Sequence, residues 1–364
     1  MNTITGNKPE PAAMRLDQIG ALKRPQWLLD AFKRHKAGEA TDDELREAQD
    51  RSIRDLVAKQ EAAGMPVVTD GEHRRRVFMQ SFTDSVSGFA PHDYLSGRAP
   101  LESRLRKTGN RPLEEFRFVQ ALTQRLVKTT FLSPVRALQT YDAETGKAFY
   151  PDAEAYAADV IGTSRQIVSE LTEAGCRYVS IDAPFYTWYM DRVEREAMLA
   201  RGVDIEAELA RFIAADNAMI ADLPGVTFGI HLCRGGANRP GRYKEGSYEV
   251  AAEQLFNGLA HDRLLLEFDS ERAGGFEPLR FVPKGKVVVL GLVSTKLAAV
   301  ETADHLKRRI EEATKYLPLE QLALSAACGF GGSPEAVHML MSEDEQWRKI
   351  EVMRRVVDDV WGSC

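Results

Sequence analysis

The stretch TFGIHLCRGG, residues 227–236, sets His231 and Cys233 two positions apart at the end of an apolar run. On a strand, alternation puts Gly229, His231 and Cys233 on one face and Phe228, Ile230 and Leu232 on the other. Residues two apart on a strand are roughly 7 Å apart, so an imidazole nitrogen and a thiolate there can share one zinc ion at bonds of about 2.0 to 2.3 Å. A buried cysteine beside a satisfied histidine would also account for an isolated pair, so the rest of the chain has to decide. Cys328, in LALSAACGF, offers a second thiol beside a glycine far along the sequence. A His, Cys, Cys set holds zinc with one position left for a carboxylate, water or substrate, the arrangement of a catalytic site. Glu267 is the natural fourth ligand, held weakly enough to be displaced, which gives it a part in catalysis. Zinc is not redox active; with such ligands it binds an incoming thiol and lowers its pKa, supplying a thiolate nucleophile near neutral pH.

These side chains need a fold that brings distant strand ends together. Apolar runs closing on polar or glycine-rich turns occur at 65–72, 127–134, 178–184, 227–233, 263–269, 286–295 and 322–330, with a weaker one at 15–22. Helical patterns fall between them. The clearest begins at Thr41, with Glu44 in capping-box spacing, and ends at Gly64. Strands alternating with helices predict an α/β protein with parallel strands, and eight of them predict a single (β/α)8 TIM-type barrel, with an open doubly wound sheet as the alternative. In such a barrel the active site lies at the C-terminal strand ends, which read Glu72, Asp182, His231 with Cys233, Glu267, the GLVST turn and Cys328. Apolar barrel strands have little structural reason to finish this way. Glu72 also fits an ion pair with the run Arg74 to Arg76. Cys176 precedes its strand and is expected at the opposite end; Cys364 is terminal and expected to be exposed. Residues 73–126 are too long for a plain connection and are expected to form an excursion over the barrel mouth, with a hairpin. Residues 1–14 read as a disordered segment and 15–364 as the barrel.

Composition narrows the function classes. The 364 residues are 44% hydrophobic and 28% charged, with a net charge of -6 spread over mixed signs, so no nucleic-acid partner is implied. No run approaches the roughly 18 apolar residues of a membrane span, and the start MNTITGNKPEPAAM lacks a secretory pattern, so a cytoplasmic protein is expected. Four scattered cysteines do not form a disulfide framework.

The segments VTDGEHRRR, IDAP, HLCRGG, LLLEFDSERAGGFEPLRF, VLGLVSTK and LALSAACGF, in this order, closely resemble the catalytic half of cobalamin-independent methionine synthase, and most closely the short, single-barrel methionine synthase-like proteins. The resemblance runs from about residue 15 to the C-terminus. It implies zinc held by His231, Cys233, Glu267 and Cys328, and homocysteine as the small-molecule thiol, its amino group bound by Glu72 and Asp182. It also implies that backbone amides of the turn Ile19, Gly20, Ala21 receive the substrate carboxylate, although the family's serine is an alanine here. Two departures fall on the methyl-donor side. The full-length enzyme has a second, N-terminal barrel that helps hold folate, for which 364 residues leave no room. The family histidine that is a candidate proton donor to the leaving folate corresponds to Val293.

The expected activity is therefore homocysteine methylation to methionine by a donor other than polyglutamyl folate, such as a methylcorrinoid or corrinoid protein. An epoxyalkane coenzyme M transferase-like thiol alkylation is an alternative, with a sulfonate bound by Arg74, Arg75, Arg76 or Arg234. A non-catalytic zinc- or thiol-binding protein is another. Porphyrinogen decarboxylases share the barrel superfamily but need no His-x-Cys zinc site.

Overall fold

The computed structural model describes residues 14–91, 99–235, 244–334 and 341–362. Strands β1 (Val67–Val68), β2 (Val86–Phe89), β3 (Leu101–Lys107), β4 (Leu126–Leu132), β5 (Tyr178–Asp182), β6 (Thr227–Leu232), β7 (Arg263–Glu267), β8 (Val287–Val293) and β9 (Leu322–Ala326) form two sheets. Seven of them pair in parallel in the order β1, β4, β5, β6, β7, β8, β9, while β2 and β3 form a separate antiparallel pair. The eighth stave is Leu16, bridged in parallel to Leu324. Asp17 N–H donates to the Leu324 carbonyl at 2.9 Å and Leu324 N–H to Arg15 at 2.8 Å. On the other side Leu22 N–H donates to the Gly71 carbonyl at 3.2 Å, just past β1, so the ring is joined on both flanks. The run 15–22 thus contributes a bridge rather than a full strand, because the chain turns at Gly20, whose φ is +56°.

Both faces of the parallel strands are covered, which is why β7 and β8 are buried along their whole length. Leu265, Val287, Val289 and Ala323 meet Ile19 in a small cluster separate from the main core. Below it lies a polar plug around Asp17, whose carboxylate accepts from Lys128 Nζ at 2.7 Å and Tyr178 OH at 2.5 Å and pairs with Arg263 at 3.3 Å. Burial alone would raise the Asp17 carboxyl, but Lys128 and Arg263 outweigh it and hold it below the usual carboxylate range. Compensation of this kind is what makes buried charge tolerable. It anchors the strand-poor first stave to β4, β5 and β7.

The helix Asp42–Ala62 begins with the expected capping box: Thr41 Oγ1 accepts from Glu44 N–H at 3.2 Å, and Thr41 N–H donates to the Glu44 carboxylate at 2.7 Å. Its buried face carries Leu45, Ile53, Leu56 and Val57, and also Gln49, Ser52 and Gln60. The polar members have work to do. Gln60 donates to the Thr69 carbonyl at 2.8 Å and accepts from Thr69 N–H at 3.0 Å, while Ser52 Oγ meets His73 Nδ1 at 2.8 Å. They pin the turn after β1 that carries Glu72.

Of the excursion expected over the mouth, residues 92–98 lie outside the described residues. Among the described residues of the excursion, Arg75, Arg76, Val77 and Phe78 line the central cavity. The β2–β3 hairpin instead lies against the helix Ala153–Glu173 and its approach: Leu105 N–H donates to Tyr150 OH at 2.8 Å and Arg104 pairs with Asp159 at 3.0 Å. The end of that stretch is an ordinary outer helix, Arg111–Gln120, leading into β4. Met14, placed in the disordered segment by sequence, is buried and packs with Val67 and Tyr178; residues 1–13 and Cys364 lie outside the described residues. Among the described residues no helix is long and apolar enough to cross a membrane.

Candidate functional site

Register places the central group. His231 on β6 is the partner of Asp182 on β5 and of Leu265 on β7, and Glu267 lies two residues beyond Leu265 on the same strand face. Cys233 follows β6 and Cys328 follows β9, so four positions scattered in sequence converge at the C-terminal strand ends. Among the described residues, His231, Cys233, Glu267 and Cys328 form a group able to hold a metal ion, their ligand atoms all within 4.8 Å of one another. The two sulfurs are 3.5 Å apart, and His231 Nε2 is 4.0 Å from a Glu267 carboxylate oxygen.

The donor set fits a soft divalent cation. His231 Nδ1 is 3.2 Å from the Leu265 carbonyl, which can only accept, so Nδ1 is the donor and Nε2 is the nitrogen turned toward the group. That Nε2 is buried and has no hydrogen-bond partner, a costly state that a metal bond would relieve. Burial alone would lower the imidazole, but Cys328, Asp182 and Glu267 outweigh it and raise His231 to about 9. The two sulfurs share that one 3.5 Å contact, which holds Cys328 well below the ordinary thiol range and pushes Cys233 well above it. Anionic sulfur and two carboxylates around one point call for positive charge.

Next to this group a cavity of about 300 Å³ is lined by Glu72, Asp182, Cys233, Cys328, Gly20 and Ala21, among others. Burial raises the Asp182 carboxyl to about 7, with Cys328, Glu72 and Glu267 adding to the shift; Glu72 is also raised, first by burial. Such acids are poised for a cationic ligand. Glu72 has a φ of +56°, a left-handed conformation rare for a non-glycine residue, held by its backbone bond to Asp70 at 3.1 Å. Its carboxylate accepts from Thr130 Oγ1 at 3.1 Å, while Arg75 stands 3.9 Å away. The ion pair expected from the arginine run is therefore secondary: Arg75 is committed to Glu115 at 2.5 Å and to Thr130, and Arg74 to Asp50 at 2.5 Å.

Other sequence-singled residues separate cleanly. Ala21 lines the cavity and packs on Gly329, where an added Cβ would stand 2.6 Å from Ala21 N. Ile19 faces the inner cluster rather than the cavity. His73, in the turn after β1, meets Ser52 Oγ through Nδ1 and is not part of the cavity lining, and burial lowers its imidazole to about 3. Val293 packs in the main core beyond a register shift in β8 and is not part of the cavity lining. Sequence reasoning missed Thr130, Glu115, Trp188 and Phe78, which carry no local motif. It also missed Lys296, at the end of GLVSTK, and Arg272, both of which bind Glu267.

Cys176 lies at the opposite end of its strand, buried, 3.3 Å from the Tyr178 carbonyl, its thiol pushed up to about 11 by burial. In native, metal-stripped protein a thiol reagent should therefore modify Cys328, the thiol held low at the cavity, and leave Cys176 intact until unfolding. Peptide mass spectrometry of a timed reaction reads this, and early modification of Cys176 would contradict the placement.

The family model described as "Cobalamin-independent synthase, Catalytic domain" matches residues 26–340. The chain belongs to that family. It is 32% identical over 375 residues to the uncharacterized protein YxjH of Bacillus subtilis, covering 98% of each chain. It is 24% identical over 365 residues to a methionine synthase of Pyrococcus abyssi, covering 94% of this chain and 97% of the relative. A crystal structure from Listeria monocytogenes, itself a provisional vitamin-B12-independent methionine synthase, superposes with a TM-score of 0.78 at 27% identity, covering 96% of this chain and 99% of that one. The family assignment supports a methyltransferase, on the TIM-barrel fold that the structural neighbours share.

Proposed function

We propose that the protein is a zinc-dependent methyltransferase of this family that binds homocysteine and methylates its sulfur, using a donor other than polyglutamyl folate. The observation that carries the reading is the buried His231, Cys233, Glu267, Cys328 donor set beside a cavity walled by Glu72 and Asp182. Zinc bound there would stabilise a thiolate at neutral pH and so supply the nucleophile. His231, Cys233 and Cys328 are the permanent ligands, and Glu267 is the ligand that yields to substrate. Glu72 and Asp182 receive the substrate ammonium, which would pull their raised pKa values back down. Gly20 and Ala21 line the same cavity, and the amides of their turn would receive the carboxylate. The chain then presents the amino acid with its sulfur toward the metal ligands.

The donor reading rests on the family resemblance, which sets Val293 at the position of the proton donor; Val293 itself lies in the core, outside the cavity lining. A tetrahydrofolate leaving group needs a proton, and valine supplies none. His73 faces away from the cavity, so it does not replace the missing acid. Methylcobalamin gives up its methyl group with cob(I)alamin as the leaving group, which keeps the bond's electron pair and needs no proton. Purified, zinc-loaded protein should accordingly methylate homocysteine from methylcobalamin where polyglutamyl methyltetrahydrofolate gives little product. Turnover of the folate at least as fast would sink the donor assignment, and homocysteine uptake without methionine from any donor would favour a binding protein. Arg24, Arg76, Arg234 and Lys244 also line the cavity, and this cationic rim is the feature that favours a sulfonated thiol. A preference for 2-mercaptoethanesulfonate over homocysteine would move the assignment to the coenzyme M transferase type.

A further inference from the structure

Glu267 is compensated more heavily than an orienting role requires. Its Oε2 accepts from Lys296 Nζ at 2.7 Å and from an Arg272 guanidinium nitrogen at 3.1 Å, and its Oε1 accepts from Arg234 N–H at 2.6 Å. The same Oε1 lies 4.0 Å from His231 Nε2, another member of the group able to hold a metal. The side chains of Lys296 and Arg272 are only 8% and 12% exposed, so water screens the contacts little. Both cations also touch Asp269, Arg272 at 3.1 Å and Lys296 at 3.7 Å. They come from different loops, Lys296 after β8 and Arg272 in the turn Glu271–Ala273 after β7. The fold has brought two positive charges to the outer oxygen of one ligand.

A metal-ligating carboxylate is usually steadied by one hydrogen-bond donor, which orients it. Two cations do something further, since they draw electron density away from the metal-facing oxygen. We infer that Lys296 and Arg272 are positioning residues that make Glu267 an exchangeable ligand. They weaken it as a donor while it is bound, and they receive its charge when it leaves. The inference rests on the metal-and-thiol reading above. The exchange balances: a substrate thiolate, its proton released to water, replaces a carboxylate, so the charge at the metal is unchanged and the displaced anion stays neutralised where it already sits. Without the cations the freed carboxylate would be a buried, unpaired charge, and the exchange would stall.

The test is zinc affinity of the intact protein, measured by competition with a chromophoric chelator in the absence of any thiol. Lys296→Met and Arg272→Met should each bind zinc more tightly, by about tenfold, because Glu267 becomes the stronger donor. Lys296→Arg should stay near the unmodified protein. An ordinary supporting role predicts the opposite sign, since loss of a partner outside the ligand shell typically costs roughly 10- to 100-fold in metal affinity. Two variants from separate loops guard against a folding defect in one. Adding homocysteine then separates the claims: the Met variants should resist the replacement of Glu267 that the unmodified protein undergoes, read as the change in sulfur ligation by X-ray absorption. Weaker or unchanged zinc binding in both Met variants overturns the inference. Tight zinc with no homocysteine exchange in the unmodified protein overturns the thiol reading instead.

Discussion

Replacing Cys328 by serine should reduce bound zinc from about one per chain to almost none after dialysis against a chelator, because an alcohol does not ionise near neutral pH and the site loses one of its two soft ligands. The fold should survive. Cys328 follows β9 at the mouth and is only partly buried, whereas the packed layers are built from residues such as Leu265, Val289 and Leu324. Metal analysis together with circular dichroism separates the outcomes. Loss of zinc with retained structure is expected; zinc held stoichiometrically by an active Cys328→Ser protein would remove the metal assignment.

The second large effect falls on substrate choice. Glu72→Gln and Asp182→Asn each replace a charged acceptor by a neutral amide in the cavity, and each should weaken homocysteine by about 1.5 to 3 kcal/mol. That corresponds to roughly 10- to 150-fold in the dissociation constant. A thiol lacking the amino group should lose far less, because it never used the pair. Glu72 carries a further liability, since glutamine must still adopt a φ of +56°, so circular dichroism should accompany the titration. Isothermal titration with homocysteine and with 3-mercaptopropionate measures the contrast. Equal losses for both thiols would mean that the carboxylates shape the cavity without reading the ammonium.

Much of this was legible before the structure, for identifiable reasons. Strands buried on both faces leave uninterrupted apolar runs, so β4 to β9 stand out, and a strand end that breaks onto Asp, Glu, His or Cys marks the catalytic rim. The pair His231 and Cys233 needed only alternation to be placed on one face, and Cys328 needed only a barrel to be brought to it. The first stave was weak because Gly20 turns the chain after one bridge and the rest of its anchoring comes from the charged plug around Asp17, which hydrophobic patterning does not register. The hairpin was recognisable as an excursion, but its resting place depends on Tyr150 and Asp159, long-range partners with no signature in the sequence of the loop. Arg75 shows the same limit at the site itself. A run of three arginines beside Glu72 reads as one ion-pair cluster, yet the fold sends Arg74 to Asp50 and Arg75 to Glu115. Lys296 and Arg272 were invisible for a related reason, since nothing in GLVSTK or DSERAGG says that both side chains end on the same carboxylate.

The central claim is that this donor set binds zinc and that a substrate thiol enters it in place of Glu267. X-ray absorption at the zinc edge, recorded on the same protein with and without saturating homocysteine, addresses it most directly. The account predicts two sulfur ligands in the free protein and three with homocysteine, with one light-atom ligand lost. An unchanged spectrum at saturating homocysteine, or a zinc site with no sulfur at all, would contradict it.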